Sequence, residues 1–560
     1  MNASMNFRQT IKIGLIAGLI SLSTSAIGMV ETFAQRDLIS GFFSLGHLLI
    51  FLTPIGAGYL ATRMANDDQK PSVYGHGALV GFISSLPVIS LILLTILSPD
   101  IRSKLINVSP ELISFLTFGQ GSTLGSLILI MLMVAAGFAG AAVFTLSDQY
   151  RRPLLRGISW VLGLALASEI LRTIFLRLVG TQVLKIVFGS KGLTPLAAVI
   201  VFVGAIAISL WWWNVGESVQ NRMSGVGSPV QINRVKFGLL TMLLLALPFI
   251  LGTYLTEVAD NVGIYILMGL GLNIVVGYAG LLDLGYVAFF AIGAYSMGLL
   301  TSQGDLGIAQ MSFWAALPIC VGVSVLAGII LGTPVLGMRG DYLAIVTLGF
   351  GEIIRVLATS DVLKGVIGGA QGVLRIPKAQ VAGTALVQPE QIYYLILIGV
   401  AIAAFISTRL RDSRLGRQWM AMREDEDVAE AMGIKLVSTK LLAFAIGAAF
   451  SGLSGAIFAS KLGSIFPNSF SLFISINVLS LIIVGGIGSL PGVVVGAMVL
   501  VGLPELLREF AEYRNLMLGF LLIAMMLAKP EGLWPSAVLK RELRGTDEKI
   551  SDEPELAASG

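Results

Sequence analysis

Hydrophobic residues come in long blocks rather than at the alternating period of a strand, and these blocks organise the chain. In the first part they cover residues 11–33, 38–61, 77–97, 122–146, 158–178 and 193–213. In the second part they cover 237–258, 264–276, 285–300, 313–331, 343–358, 392–408, 441–460, 469–484, 493–503 and 516–528. About 20 apolar residues are needed for a helix to cross the hydrocarbon layer, so the pattern predicts an all-α polytopic membrane protein. The block 158–178 is interrupted by Glu169, Arg172 and Arg177, and reads either as a span or as an amphipathic helix along the interface. Several blocks of the second part are too short to cross. Their glycine interruptions predict broken or re-entrant helices around a cavity, where irregular backbone is tolerated.

Polar stretches divide the blocks. Residues 214–236 (NVGESVQNRMSGVGSPVQINRVK) are rich in Gly and Ser and predict a linker. It separates an N-terminal transmembrane region, 1–213, with about six helices, from a second domain, 237–535. Residues 536–560 are charged and predict a disordered tail.

The densest charged segment is 409–440, RLRDSRLGRQWMAMREDEDVAEAMGIKLVSTK. Trp419, Met422, Val428 or Ala429, and Met432 recur at roughly helical spacing, with Arg423 to Asp427 on the other faces and Gly433 where a helix would stop. The segment reads either as a solvated connection or as a short amphipathic helix held between spans as a docking surface. Counting each block as one crossing from an inside start, the positive-inside rule puts this segment and both termini on the cytoplasmic side. Arg177, Lys185 and Lys191 run against that count. The first block follows Arg8 and Lys12 and reads as an uncleaved signal anchor.

Composition narrows the chemistry. Only 12% of residues are charged, and the chain holds one cysteine and two histidines, His47 and His76. That excludes an internal disulfide, and a multi-thiolate or His-based metal centre is not expected. There is no Gly-x-x-x-x-Gly-Lys-Ser/Thr run to cradle ATP and no nucleophile–base constellation.

Polar groups inside the apolar blocks are the remaining candidates. Between Gly269 and Tyr295, Gly277, Gly280 and Gly285 interrupt a helical run that also carries Asn273, Tyr278 and Asp283. These residues read either as a substrate pathway with a discontinuous helix or as close packing with an interhelical hydrogen bond. Glu352 and Arg355, three apart, are placed to form a structural ion pair, and Asp341 beside Gly340 to cap a helix near Arg339. In the block 441–460, Gly447, Ser451 and Gly455 form one small-residue ridge and Gly452 belongs to the next, predicting a flat packing face. Residues 483–492, IVGGIGSLPG, predict a hairpin turn.

These stretches resemble the LivM-type permeases of branched-chain amino acid ABC importers. The resemblance rests on GLNIVVGYAGLLDLGYVAFFAIGAY, MRGDYLAIVTLGFGEIIRVL, GRQWMAMREDEDVAEAMGIKLVSTKLLAFAIGAAFSGLSGAIFA, GGIGSLPGVVVGA, LPELLREF and KPEGLWP, in the family's order. It implies a permease helical bundle over 237–535 in a bacterial inner membrane, importing branched-chain or other neutral amino acids. Its implied partners are a sister permease, two cytoplasmic ATPase subunits and an extracytoplasmic solute-binding protein. ATP and Mg would then sit on the ATPases, with no cofactor on this chain. Docking to an ATPase groove would fall to Arg423, Glu424, Asp425, Glu426, Glu430, Ala431 and Gly433. Where the family has a Thr-Gly-Gly-Pro-Asn-Gly-like run, this chain has IGGAQGV at 367–373, and the first 230 or so residues match nothing in the pattern. Urea or short amides as cargo, or ion-coupled secondary transport through Glu352 or Asp283, are the alternatives.

Overall fold

A computed structural model describes residues 2–65, 70–97, 105, 107–178, 180–189, 191–224, 229–335, 337–338, 340–506 and 512–535. The predicted tail 536–560, residues 225–228 of the predicted linker and Arg339 lie outside them. The chain divides into two units, Met1–Leu240 and Thr241–Gly560.

The first unit begins with α1 (Asn2–Ala26) and α2 (Met29–Ala34), so the apolar block 11–33 is two helices rather than one. Gly28 separates them at φ 83, a left-handed conformation that costs glycine little. A hairpin, β1 (Asp37–Ile39) with β2 (Phe43–Ser44), leads into α3 (Leu45–Ala65) and α4 (Lys70–Leu97). Next come α5 (Pro110–Leu116) and α6 (Ser122–Thr145). Helices α1, α3, α4 and α6 pack together, and Val30, Ile50, Val88, Ile92, Leu129 and Met133 are part of the core. The interrupted block 158–178 falls on α7 (Asp148–Leu166) and α8 (Ser168–Leu178), which bend by 70° at the junction. After α9 (Thr181–Val187), α10 (Pro195–Ser224) extends well past the tryptophans at 211–213. Much of the polar stretch 214–236 is therefore helical, because nothing in it but Gly and the Pro at 229 opposes a helix.

In the second unit α11 (Pro229–Leu272) bends at Gly252 (φ 78, ψ 173), so residues 253–272 form a separate rod. A π-helical turn, Asn273–Tyr278, continues it, and residues 279–286 are irregular before α12 (Val287–Thr301). Then follow α13 (Phe313–Val335), α14 (Asp341–Thr359), α15 (Lys364–Ile367) and the hairpin β3 (Gln380–Val381) with β4 (Thr384–Ala385). Next are α16 (Pro389–Arg411), α17 (Arg414–Glu424), α18 (Glu426–Ala431) and α19 (Leu436–Leu462). The described chain ends with α20 (Leu472–Gly485), α21 (Leu490–Ala497), α22 (Leu503–Leu506) and α23 (Arg514–Ala528).

Helix α19 is the central rod of this unit. Ala443, Phe444, Ala448, Ala456 and Ala459 are buried against α12 and α13. Among the described residues ten helices are long and apolar enough to cross a membrane, or 11 if the bent α7–α8 pair counts as one span. The molecule is thus an α-helical polytopic bundle with a large helical region ahead of the second unit.

Candidate functional site

The charged segment 409–440 is two short helices, not the single one its spacing predicts. Ser413 caps α17 by accepting from the Gly416 amide at 3.2 Å. Asp425 then takes an extended conformation (φ −157, ψ 115) and accepts from the amides of Asp427 and Val428 at 2.9 and 3.0 Å. The same carboxylate that caps α18 therefore terminates α17, since a capping residue leaves helical φ/ψ. Gly433, at φ 87, closes α18, and the Ile434 amide reaches back to the Ala429 carbonyl at 3.1 Å.

One face of the pair is rooted in the bundle. Trp419, Met422 and Ala429 are buried, and the Trp419 indole donates to the Thr439 carbonyl on α19 at 2.9 Å. Lys440, also on α19, donates to Glu426 at 2.8 Å. Glu426 thus braces the segment rather than standing on its outer face. The outer face carries Glu424, Asp425, Asp427, Glu430 and Ala431, with Val428 and Met432 exposed at 58% and 80%. Met432 points outward because it lies beyond the end of α18, out of phase with Trp419.

Arg423 is exposed on the outer side, yet its guanidinium also reaches inward. Its Nη1 donates to the Gly277 carbonyl at 2.6 Å, in the π-helical turn before the break. Gly280 (φ 71) lies under its aliphatic stem, where a Cβ would come within 2.8 Å of Arg423 Cγ. The glycine-rich turn meets the same place: the Gly488 amide donates to Asn273 Oδ1 at 2.9 Å. Residues 483–492 form a helical hairpin turn that joins α20 to α21, and the C-terminal segment covers it through Leu533 and Trp534 amides on the Val484 and Gly485 carbonyls.

The five residues predicted for a pathway sit together at the interruption. Asn273, Gly277, Tyr278 and Asp283 are buried and Gly280 is at the surface. Asp283 accepts from the Gly285 amide at 2.9 Å, and Thr347 on α14 accepts from the Leu284 amide at 3.0 Å. Tyr286 donates to the Gly447 carbonyl at 2.8 Å, and Ser475 on α20 accepts from the Val287 amide at 2.9 Å. Asn273 Nδ2 and the Tyr278 hydroxyl are buried with no hydrogen-bond partner among the described residues.

The small residues of α19 are packed internally. A Cβ at Gly455 would strike the Phe290 carbonyl of α12, one at Gly447 the Val275 side chain, and one at Gly452 the Ser324 side chain of α13. Ser451 donates to the Tyr286 carbonyl at 3.3 Å. Gly452 also lies against Gly293 of α12, so the two ridges share that neighbour and the second adds α13. Arg355 Nε donates to Glu352 at 2.6 Å on half-exposed α14, and Asp341 is its first residue after Gly340.

A charged cluster at the other end of α19 escaped the sequence reading. Lys461, buried in α19's last turn, lies 2.9 Å from Glu257, 2.7 Å from Asn261 Oδ1 and 3.9 Å from Asp260. The signal was present as acids flanking an apolar block, Leu-Thr-Glu-Val-Ala-Asp-Asn, with a lysine at the end of another. Their pairing is a long-range contact and left no mark on local pattern.

The profile described as branched-chain amino acid transport system, permease component, matches residues 254–528. The high-affinity branched-chain amino acid transport system permease protein LivM of Salmonella typhimurium is 40% identical over 325 residues, 54% of this chain and 75% of the relative. LivM of Escherichia coli K12 is 40% identical over 319 residues, 53% of this chain and 73% of the relative. The permease protein LivH of Escherichia coli K12 is 32% identical over 127 residues, 22% of this chain and 41% of the relative. No solved structure matches the chain.

Proposed function

The chain belongs to the LivM-type family of branched-chain amino acid permeases, and from that premise we propose that it forms the membrane pathway of an ATP-driven importer. Its cargo is branched-chain amino acids, and ATP is hydrolysed on separate subunits. It is a transport subunit, not an enzyme. Family membership sets aside the ion-coupled reading and favours these amino acids over urea or short amides.

The permease body is 237–535, and residues 1–213 are an added helical region. The partial likeness to LivH supports a paralogous sister permease beside it. Two ATPase subunits and an extracytoplasmic binding protein complete the assembly, which lies in a bacterial inner membrane with both termini and the 409–440 segment in the cytoplasm. The substrate pathway runs past the interruption at Asn273, Gly277, Tyr278, Gly280 and Asp283. Three buried polar atoms without partners among the described residues, Asn273 Nδ2, the Tyr278 hydroxyl and Asp283 Oδ2, support that, since such atoms are rare in a merely structural core.

The observation that carries the coupling role is the outer face of α17 and α18. It carries the exposed acids Glu424, Asp425, Asp427 and Glu430 beside the exposed Arg414, Arg417 and Arg423, with two apolar tips, Val428 and Met432, on a base fixed by Trp419, Met422 and Lys440. A mobile loop would absorb a push; a rooted helix pair transmits it. Glu424, Asp425, Glu430, Ala431 and Gly433 belong to this ATPase-docking surface.

The test is ATP-dependent uptake of leucine by the complete complex in liposomes, with the triple variant Glu424→Lys, Asp427→Lys, Glu430→Lys as comparison. Uptake is expected in the native complex and lost in the variant at unchanged thermal stability. Native complex without ATP-dependent uptake refutes the importer function; normal uptake by the variant refutes the docking surface.

A further inference from the structure

Arg423, in the charged run 423–427, reaches the interrupted helix with its side chain. Its guanidinium crosses to a residue 146 positions earlier, at 2.6 Å from the Gly277 carbonyl. The chain leaves its helical path at Gly280, so this carbonyl faces past the end of the helix, where a cationic donor is favoured. Gly280 presents no side chain to obstruct the stem. The contact is therefore specific in charge, direction and shape.

Its place in a closed circuit gives it more than a capping role. Helix α17 is attached to α19 through Trp419 and Thr439. Helix α19, 27 residues long, carries Lys461 in its last turn, bound to Glu257 and Asn261 on the rod 253–272. That rod continues into the turn that holds Gly277, and Gly277 returns to α17 through Arg423. The rod and α19 are thus tied at both ends, by a lysine at one and by α17 at the other. Beyond Gly277 the chain is irregular through residue 286, so the inner end of the rod has a neighbouring segment that can deform. A displacement of α17 relative to the rod loads the Arg423–Gly277 contact.

We propose that Arg423 is the positioning residue that carries movement of the α17–α18 pair to the interrupted helix at Gly277–Gly280, linking ATP hydrolysis to opening of the pathway. This rests on the importer reading above. Although Arg423 is exposed on the outer side, its guanidinium acts inward, through the Gly277 carbonyl and against Gly280. The Gly488–Asn273 bond holds the hairpin turn to the same point, so the rod and the hairpin move together.

The experiment measures leucine uptake and ATP hydrolysis side by side in liposomes holding the complete complex. Arg423→Ala, Arg423→Lys and Gly280→Ala are compared with native complex and with Gln149→Ala, an exposed position on α7 in the first unit, outside the docking surface and the contact. A broken link separates the two rates. Arg423→Ala is expected to raise ATP hydrolysed per leucine imported by roughly 2- to 30-fold, the range of coupling changes from single residues. Arg423→Lys should fall between it and the native complex, because lysine donates to one carbonyl but lacks the guanidinium's fork. Gly280→Ala disturbs the seat from the other side and should move the ratio the same way, so the idea stays testable where Arg423→Ala does not assemble. Gln149→Ala should leave it unchanged. An unchanged ratio in Arg423→Ala, or in Arg423→Lys and Gly280→Ala where the alanine variant does not assemble, overturns the proposal. Failure of the native complex to import with ATP instead overturns the importer reading, and the two outcomes are distinct.

Discussion

Lys461 Nζ lies 3.9 Å from Asp260 but makes its close contacts with Glu257 and Asn261, at 2.9 and 2.7 Å. Asp260 is fully buried, and neither of its oxygens has a hydrogen-bond partner among the described residues. One ammonium therefore serves two carboxylates, and Lys378 adds only a bond to the Lys461 carbonyl. Removing the lysine strands a buried charge. Lys461→Met is expected to lower stability by about 3–5 kcal/mol, whereas Asp260→Asn should be near neutral or stabilising. Thermal unfolding of the purified chain in detergent separates the two, and equal losses would contradict this account.

Trp419 is the root of the charged helix pair. Trp419→Ala removes a fully buried ring and is expected to cost about 3–5 kcal/mol. Trp419→Phe keeps most of the volume but loses the bond to the Thr439 carbonyl, at a cost of about 1–2 kcal/mol. Proteolysis within 414–433 should accelerate in the first variant much more than in the second.

Val428 and Met432 contribute little to the isolated fold. Val428→Ser with Met432→Ser should change stability by no more than about 0.5 kcal/mol. Co-purification of the ATPase subunits should nevertheless fall. Because the surrounding surface is densely charged, with acids and arginines both exposed, association should also weaken as salt rises from about 0.05 to about 0.5 M. Retention of the ATPases by the double variant would remove these tips from the interface.

Gly455 and Gly322 offer a matched pair on neighbouring helices. A Cβ at Gly455 would run into the Phe290 carbonyl, and one at Gly322 meets nothing within 4 Å. Gly455→Ala is expected to destabilise by about 1–3 kcal/mol. Gly322→Ala should stabilise by about 0.4–1 kcal/mol, through the restricted unfolded chain. Thermal unfolding of both variants beside the native chain checks the signs.

Much of the architecture was legible because burial in a bilayer acts on whole segments. Blocks of apolar residues declare helices without reference to any partner, and Gly277, Gly280 and Gly285 mark the interruption by breaking such a block. Where one residue decides between two helices and one, the blocks misled. Gly28 splits 11–33, Gly252 splits α11, and Asp425 splits the charged segment; each acts through local φ/ψ rather than hydropathy. In the polar stretch 214–236 the described residues are helical, since polarity by itself does not end a helix.

The directions of side chains came only from the tertiary structure. Arg423 to Asp427 read as one charged face, yet Arg423 turns inward to Gly277, Glu426 is held by Lys440, and the rest stay outside. The sequence alone determined the helical membrane class, the family resemblance, the interruption and the small-residue face of α19, because each is written in neighbouring residues. Which helix that face meets, which end of the rod Lys461 secures and what Arg423 reaches were decided by contacts between residues far apart in the chain. Such contacts follow from which surfaces bury together, and spacing along the chain carries no record of that.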